Sequence, residues 1–193
     1  MESPVEVVDW LLAVQAQDFA GSKWAVGLRM QKATDASIEQ AFNEGAILRT
    51  HLLRPTWHYV TPTDIRWLLM LTAPRVQAQC AHMYRRLELE PDVRRRATDA
   101  MARAVEGGRF ATRDEMREVL ESAGISTSGL QRMTYLMMNA ELEGVLCSGP
   151  RRGKQFTYAL LDERSDGQVI SRDEALVRRR SSSSKGFLGT LIG

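Results

Sequence analysis

The sequence has no apolar run approaching the roughly twenty residues that a membrane-spanning helix needs. It has only two cysteines, Cys80 and Cys147, far apart and without CxxC spacing. That argues against a disulfide framework and against a metal site. Its three histidines, His51, His58 and His82, include no pair at metal-ligand spacing, so no metal is expected. A basic leader is also missing, since Glu2 and Glu6 stand where one would be, and a cytoplasmic location is expected. Charge of one sign is scarce in net terms: 26 Lys and Arg against 24 Asp and Glu give +2, too little for a global field that gathers nucleic acid.

The charge that is there is unevenly placed. Glu2, Glu6, Asp9, Asp18, Asp35, Glu39 and Glu44 make the first segment acidic, whereas the middle carries Arg75, Arg85, Arg86, Arg94, Arg95, Arg96, Arg103, Arg109 and Arg113. An anionic partner is compatible with this asymmetry. The length of 193 residues suits one full domain or two small ones.

"SPVE" opens a helix, with Ser3 as cap, Pro4 in the first turn and Glu6 closing a capping box. Its apolar stripe runs Pro4, Val7, Val8, Leu11, Leu12. A second helix passes through Trp24 and Leu28, and a short third covers about 37–43, stopping near Gly45. "ILRTHLLRPTWHYV" reads as one strand-like stretch in which Pro55 suits only an edge or a bend. "TPTD" starts the next helix, which Pro74 is expected to kink before it continues towards Leu89. From Pro91 the order is helix, helix opened by the "TRDE" box at Thr112, turn, helix over about 129–143, then the extended pieces "VLCSG" and "QFTYALL" joined by "PRRGK". That order is the winged-helix variant of helix-turn-helix.

The expected fold is therefore α+β, mainly α with short β-hairpins, in a tandem winged-helix architecture. Residues 1–89 form an N-terminal winged-helix-like domain and 90–164 a second with a basic wing. Residues 165–193, ending in "SSSSKGFLGTLIG", read as linker and disordered or truncated tail.

Arg151, Arg152 and Lys154 occupy a glycine-flanked hairpin tip, where flexible cations suit phosphate oxygens or a minor groove; the alternative is a solvated turn. The following-groove reader is weaker: Gln131, Arg132, Thr134 and Asn139 could reach bases, but Glu141 and Glu143 would repel phosphates. Met133, Met137 and Met138 belong to a core. Each histidine is expected in a hydrogen-bonded structural role, with His58 the exception because Arg54 and Thr56 share its face of the strand. Gln15 falls where the helical stripe predicts the next buried position, and an unpaired buried amide costs roughly 1–3 kcal/mol. Gln17 can share its direction only if the chain unwinds towards Gly21; otherwise the pair is a polar helix end.

The segments "LLAVQAQD…WAVGLR", "RTHLLRPTWHYVTPTDIRWLLMLTAPRV" and "AELEGVLCSGPRRGKQFTYALLDER" together resemble the bacterial winged-helix DNA glycosylases of the AlkZ and YcaQ type, over roughly residues 3–178. The resemblance implies removal of alkylated bases from DNA, crosslinked purines included. It also implies a catalytic glutamine–apolar–glutamine motif at Gln15, Ala16 and Gln17, with Gln17 polarising the attacking water and Gln15 helping to hold water and sugar. From their places in the chain, Arg151, Arg152, Lys154, Arg54 and His58 are expected to contact the DNA, and no cofactor is expected. The likeness fades in "DEALVRRR", so the family's C-terminal portion is expected to be missing. A non-enzymatic winged-helix regulator and an inactive fragment are the alternatives.

Overall fold

In a computed structural model, residues 1–165 and 173–177 are described. The chain begins with helix α1 (Pro4–Leu11), strand β1 (Val14–Gln15), helices α2 (Phe19–Gly27) and α3 (Asp35–Glu44), and strands β2 (Leu48–Leu52) and β3 (Thr56–Val60). After the long helix α4 (Ile65–Arg86) the same order returns: α5 (Pro91–Val105), β4 (Ala111–Thr112), α6 (Arg113–Ser122), α7 (Arg132–Leu142), β5 (Leu146–Ser148) and β6 (Thr157–Leu160). A 3-10 turn, Leu161–Glu163, follows. Both three-stranded antiparallel sheets place the last strand in the middle, β1-β3-β2 and β4-β6-β5. The fold is α+β, and its repeated unit is helix–strand–helix–helix–hairpin.

Local chemistry explains many of the element ends. The Ser3 hydroxyl accepts the Glu6 N–H at 3.2 Å, and Pro4 fills the first turn of α1. Thr112 and Glu115 form a reciprocal box at the start of α6. A second box, Thr34 with Ser37, starts α3 two residues earlier than its apolar pattern suggested. Gly45 ends α3 at φ 84°, a left-handed conformation that costs glycine nothing.

One expectation needs correction. The stretch 47–60 is a hairpin, not one strand: Leu53, at φ 41°, turns the chain so that Thr50 faces His58 and His51 faces Trp57. Pro55 sits in that turn, where its missing N–H costs no ladder bond. Pro74 lies within a single continuous helix, α4.

Three apolar clusters hold the elements together. The first joins α1, α2 and α3 around Phe42 and Tyr59. The second packs Leu48, Leu52 and Val60 of the first sheet on Ile65, Trp67 and Leu68 of α4, with Cys147 of β5 and Ala175 beside them. The third surrounds α5, α6 and α7 and takes in Val76, Cys80 and Tyr84 from the second half of α4. Helix α4 thus belongs to the core of both units. Met133, Met137 and Met138 are buried in the third cluster. Of the expected tail 165–193, only Ser165 and the helical stretch 173–177 are described; the rest lies outside the described residues.

Candidate active site

The "AVQAQD" segment is not the end of a helix. Helix α1 stops at Leu11, Leu12 turns the chain at φ 61°, and Val14 and Gln15 pair antiparallel with Tyr59 and His58. The ladder continues as the Ala16 N–H donates to the Trp57 carbonyl at 2.7 Å. In an extended chain alternate side chains share a face. Ala16 is accordingly fully buried in the first core, while Gln15 and Gln17 are both exposed. The expectation of Gln15 as a buried position on a helical stripe is therefore wrong, because helical spacing ceased four residues before it. Its other branch, a chain that unwinds before Gly21, is what the backbone adopts.

Two side chains fix this segment to the hairpin. Arg49 donates from Nε to the Ala16 carbonyl at 3.0 Å, and the Gln17 amide oxygen accepts the Trp57 N–H at 3.4 Å. A guanidinium and an amide thus stand in for the ladder bond that Ala16 and Trp57 would otherwise complete. Arg49 is 6 % exposed and lies over the rings of Trp57 (4.2 Å) and Phe156 (4.5 Å). Burial pulls its pKa down, with the nearby Glu141 opposing that shift. The sequence reading missed Arg49; nothing local marks an arginine that will be buried between two aromatic rings.

Glu141 was expected to face outward and repel phosphates. It is instead buried, accepting the His51 N–H at 3.0 Å, the His51 ring through Nδ1, and the Trp57 indole N–H at 3.4 Å. With Ser148, whose hydroxyl accepts the Arg49 N–H at 2.8 Å, it satisfies the outer edge of β2. An open strand edge is a liability, and here the second unit closes it with side-chain oxygens.

His58 is 1 % exposed, so it is not a surface contact. Its Nδ1 lies 2.9 Å from the Thr56 carbonyl, and burial pushes its pKa down to about 4. Arg54 is exposed at the β2–β3 turn.

The wing is divided in its loyalties. Arg151 folds back onto the first unit: its guanidinium covers Phe19 (4.7 Å) and Phe156 (4.9 Å), approaches Glu39 at 3.9 Å, and its backbone N–H donates to Asn43 at 2.8 Å. Arg152 donates to Glu115 at 2.6 Å and to the Phe110 carbonyl at 2.9 Å while keeping half its side chain in solvent. Lys154 is exposed. Of the cations expected at DNA, Arg54, Arg152 and Lys154 are on the surface and Arg151 braces the two units.

Neither helix in the groove-reading position offers free basic groups. On α7, Asn139 is fully buried and bonded to Arg94 and Thr98, Arg132 donates to the Ser126 and Leu87 carbonyls, and Thr134 accepts from Arg113. On α3, the outward residues include Asp35, Glu39 and Glu44, and Lys23 is neutralised between Asp35 and Glu39 at 2.7 and 2.8 Å. Among the described residues no three His, Cys, Asp or Glu side chains gather as a metal site, Cys80 and Cys147 are free and buried, and no helix is long and apolar enough to cross a membrane.

Two winged-helix units sharing α4, with exposed amides at the end of the first strand and two residues beyond it, define a tandem winged-helix protein. The chain belongs to the AlkZ-like DNA glycosylase family, whose model matches residues 8–184. It is similar to the interstrand DNA cross-link repair glycosylase of Streptomyces sahachiroi, with 27% identity over 165 residues, 82% of this chain and 43% of that protein. Its fold is similar to the solved structure of the Streptomyces sahachiroi DNA glycosylase AlkZ, with a TM-score of 0.79 and 22% identity, covering 100% of this chain and 52% of that one. The chain thus spans about half the length of the relatives it matches.

Proposed function

We propose that this chain is a DNA glycosylase that removes purines alkylated at a ring nitrogen, crosslinked purines among them, with Gln15 and Gln17 as its catalytic pair. The observation that carries this reading is the exposure of the two amides that flank the buried Ala16, in a segment whose backbone is held by Arg49 and Trp57. Such rigidity is of no use to a polar helix end. It serves a site that must hold a water and a sugar in fixed geometry.

A neutral amide is a poor base, so the chemistry must fall on the leaving group. An N-alkylated purine is already cationic, and its departure with the C1′–N bonding pair leaves a neutral base and an oxocarbenium-like sugar. Amide dipoles fixed beside that sugar stabilise the developing positive charge without reorganising. Gln17, whose oxygen takes the Trp57 N–H, has its remaining lone pair and its NH₂ group for water; Gln15 completes the cradle. Arg54, Arg152 and Lys154 supply phosphate contacts, and the division at 1–89 and 90–164 serves as catalytic unit and supporting unit. A regulator reading base sequence is disfavoured by the internal engagement of the polar groups of α7.

The test is excision from a duplex carrying 7-methylguanine or an alkylated interstrand crosslink, scored as abasic sites. Gln15→Ala and Gln17→Ala should each slow the single-turnover rate by about 10²-fold, the scale for removing one preorganised polar group. Unchanged rates in the double variant refute the assignment. Tight, salt-sensitive binding to plain duplex without excision would make the chain a binding protein.

A further inference from the structure

Three buried polar atoms without partners, Thr50 Oγ1, Thr56 Oγ1 and His58 Nε2, belong to one face of the first sheet. Gln15 belongs to it too. Strand β3 is central, and His58 stands opposite Gln15 on one side and opposite Thr50 on the other. Directly opposed residues have Cβ atoms about 5 Å apart and side chains on the same face, so Gln15, His58 and Thr50 form one polar row. The row is open to solvent at Gln15 and closed at Thr50, which is fully buried.

Buried polar atoms nearly always have partners, and several orphans on one face mark a place where a small polar molecule binds. Their chemistry is set by the tautomer of His58. Its Nδ1 faces the Thr56 carbonyl at 2.9 Å, and a carbonyl only accepts, so Nδ1 carries the hydrogen and Nε2 presents a lone pair. One acceptor, the threonine hydroxyls and an amide are the partners that a single buried water uses, commonly about three at a time.

We propose that His58 is a further catalytic residue, its Nε2 accepting a proton from a water held between Thr50 and Gln15 as that water attacks C1′. The inference rests on the glycosylase reading. In the step, the C1′–N bond breaks and its electron pair leaves with the cationic base, which becomes neutral. The water oxygen then bonds to C1′, and one of its protons passes to Nε2. The imidazolium returns that proton to solvent after the abasic sugar departs. A weak base suffices, because a water already bonded to an oxocarbenium carbon is a strong acid. Burial, which keeps the imidazole neutral, keeps Nε2 ready.

Single-turnover excision of 7-methylguanine by the 193-residue chain tests this. His58→Gln should lose about 10²-fold in rate, the lower end for general acid–base catalysis, with duplex affinity unchanged. Thr50→Val, which removes the hydroxyl at nearly constant volume, should lose about tenfold with the same melting temperature, and it decides the matter if His58→Gln does not fold. Folded variants that excise within about threefold of the unchanged rate, while Gln15→Ala and Gln17→Ala remain slow, overturn this inference and leave the function reading standing. An unchanged chain that excises nothing overturns both.

Discussion

Burial of a neutral His58 makes the stability of this protein depend on pH between 6.5 and about 4. Its pKa falls from an ordinary 6.5 to about 4, with burial as the main cause, the Thr56 carbonyl opposing the shift, and Arg54 and His51 adding to it. In this window the unfolded chain binds more protons than the folded one, so stability rises with pH. The contribution is complete above pH 6.5 and is lost as pH falls towards about 4. The fall from 6.5 to about 4, at about 1.4 kcal/mol for each tenfold change in proton affinity, gives a total of about 3.5 kcal/mol, of which about 2 kcal/mol is gone by about pH 5. Urea unfolding of the chain and of His58→Gln between pH 8 and 5 measures it. The variant should start less stable at pH 8, since it loses a fitted buried ring. The stability gap between the two proteins should then close by about 2 kcal/mol at pH 5. A gap that stays constant across the window refutes the buried neutral histidine, because carboxylate titrations are common to both proteins and cancel.

Two further outcomes follow from the contacts. Glu141→Leu removes the acceptor of the His51 backbone N–H, the His51 ring and the Trp57 indole, and should cost about 3 kcal/mol in urea unfolding, since each buried donor left alone costs roughly 1–3 kcal/mol; a loss below about 1 kcal/mol would show that the second unit does not depend on this carboxylate. Lys154→Ala and Arg54→Ala should each weaken duplex binding and lower the salt slope by about one, with unfolding unchanged, whereas Arg151→Ala should lower stability because it uncovers Phe19 and Phe156; filter-binding titrations at several salt concentrations separate the two behaviours, and equal salt slopes in all three would overturn the division of the wing.

The sequence by itself determined whatever is settled within a turn or two of chain. The Ser3 and Thr112 caps and the glycine stop at Gly45 rest on bonds between residues at most a few positions apart, and the helix–helix–helix–hairpin order of the second unit on signals nearly as local. Family membership was legible too, because "RPTWHYV" and "CSGPRRGKQ" are long enough words to be specific. The tertiary structure alone decided the state of the glutamines. Helix α1 carries no local stop at Leu12, and the strand that follows exists only because β3, some forty residues later, offers it a ladder. The burial of Arg49, the inward turn of Glu141 towards His51 across 90 residues, and the withdrawal of Arg151 from the wing tip onto Phe19 are of the same kind. A charged side chain reads as exposed until a partner or a ring face arrives from elsewhere, and such partners are set by how the two units meet. Read locally, "AVQAQD" is a helix with a polar end; in the folded chain it starts as an edge strand and leaves both glutamines exposed around a buried alanine.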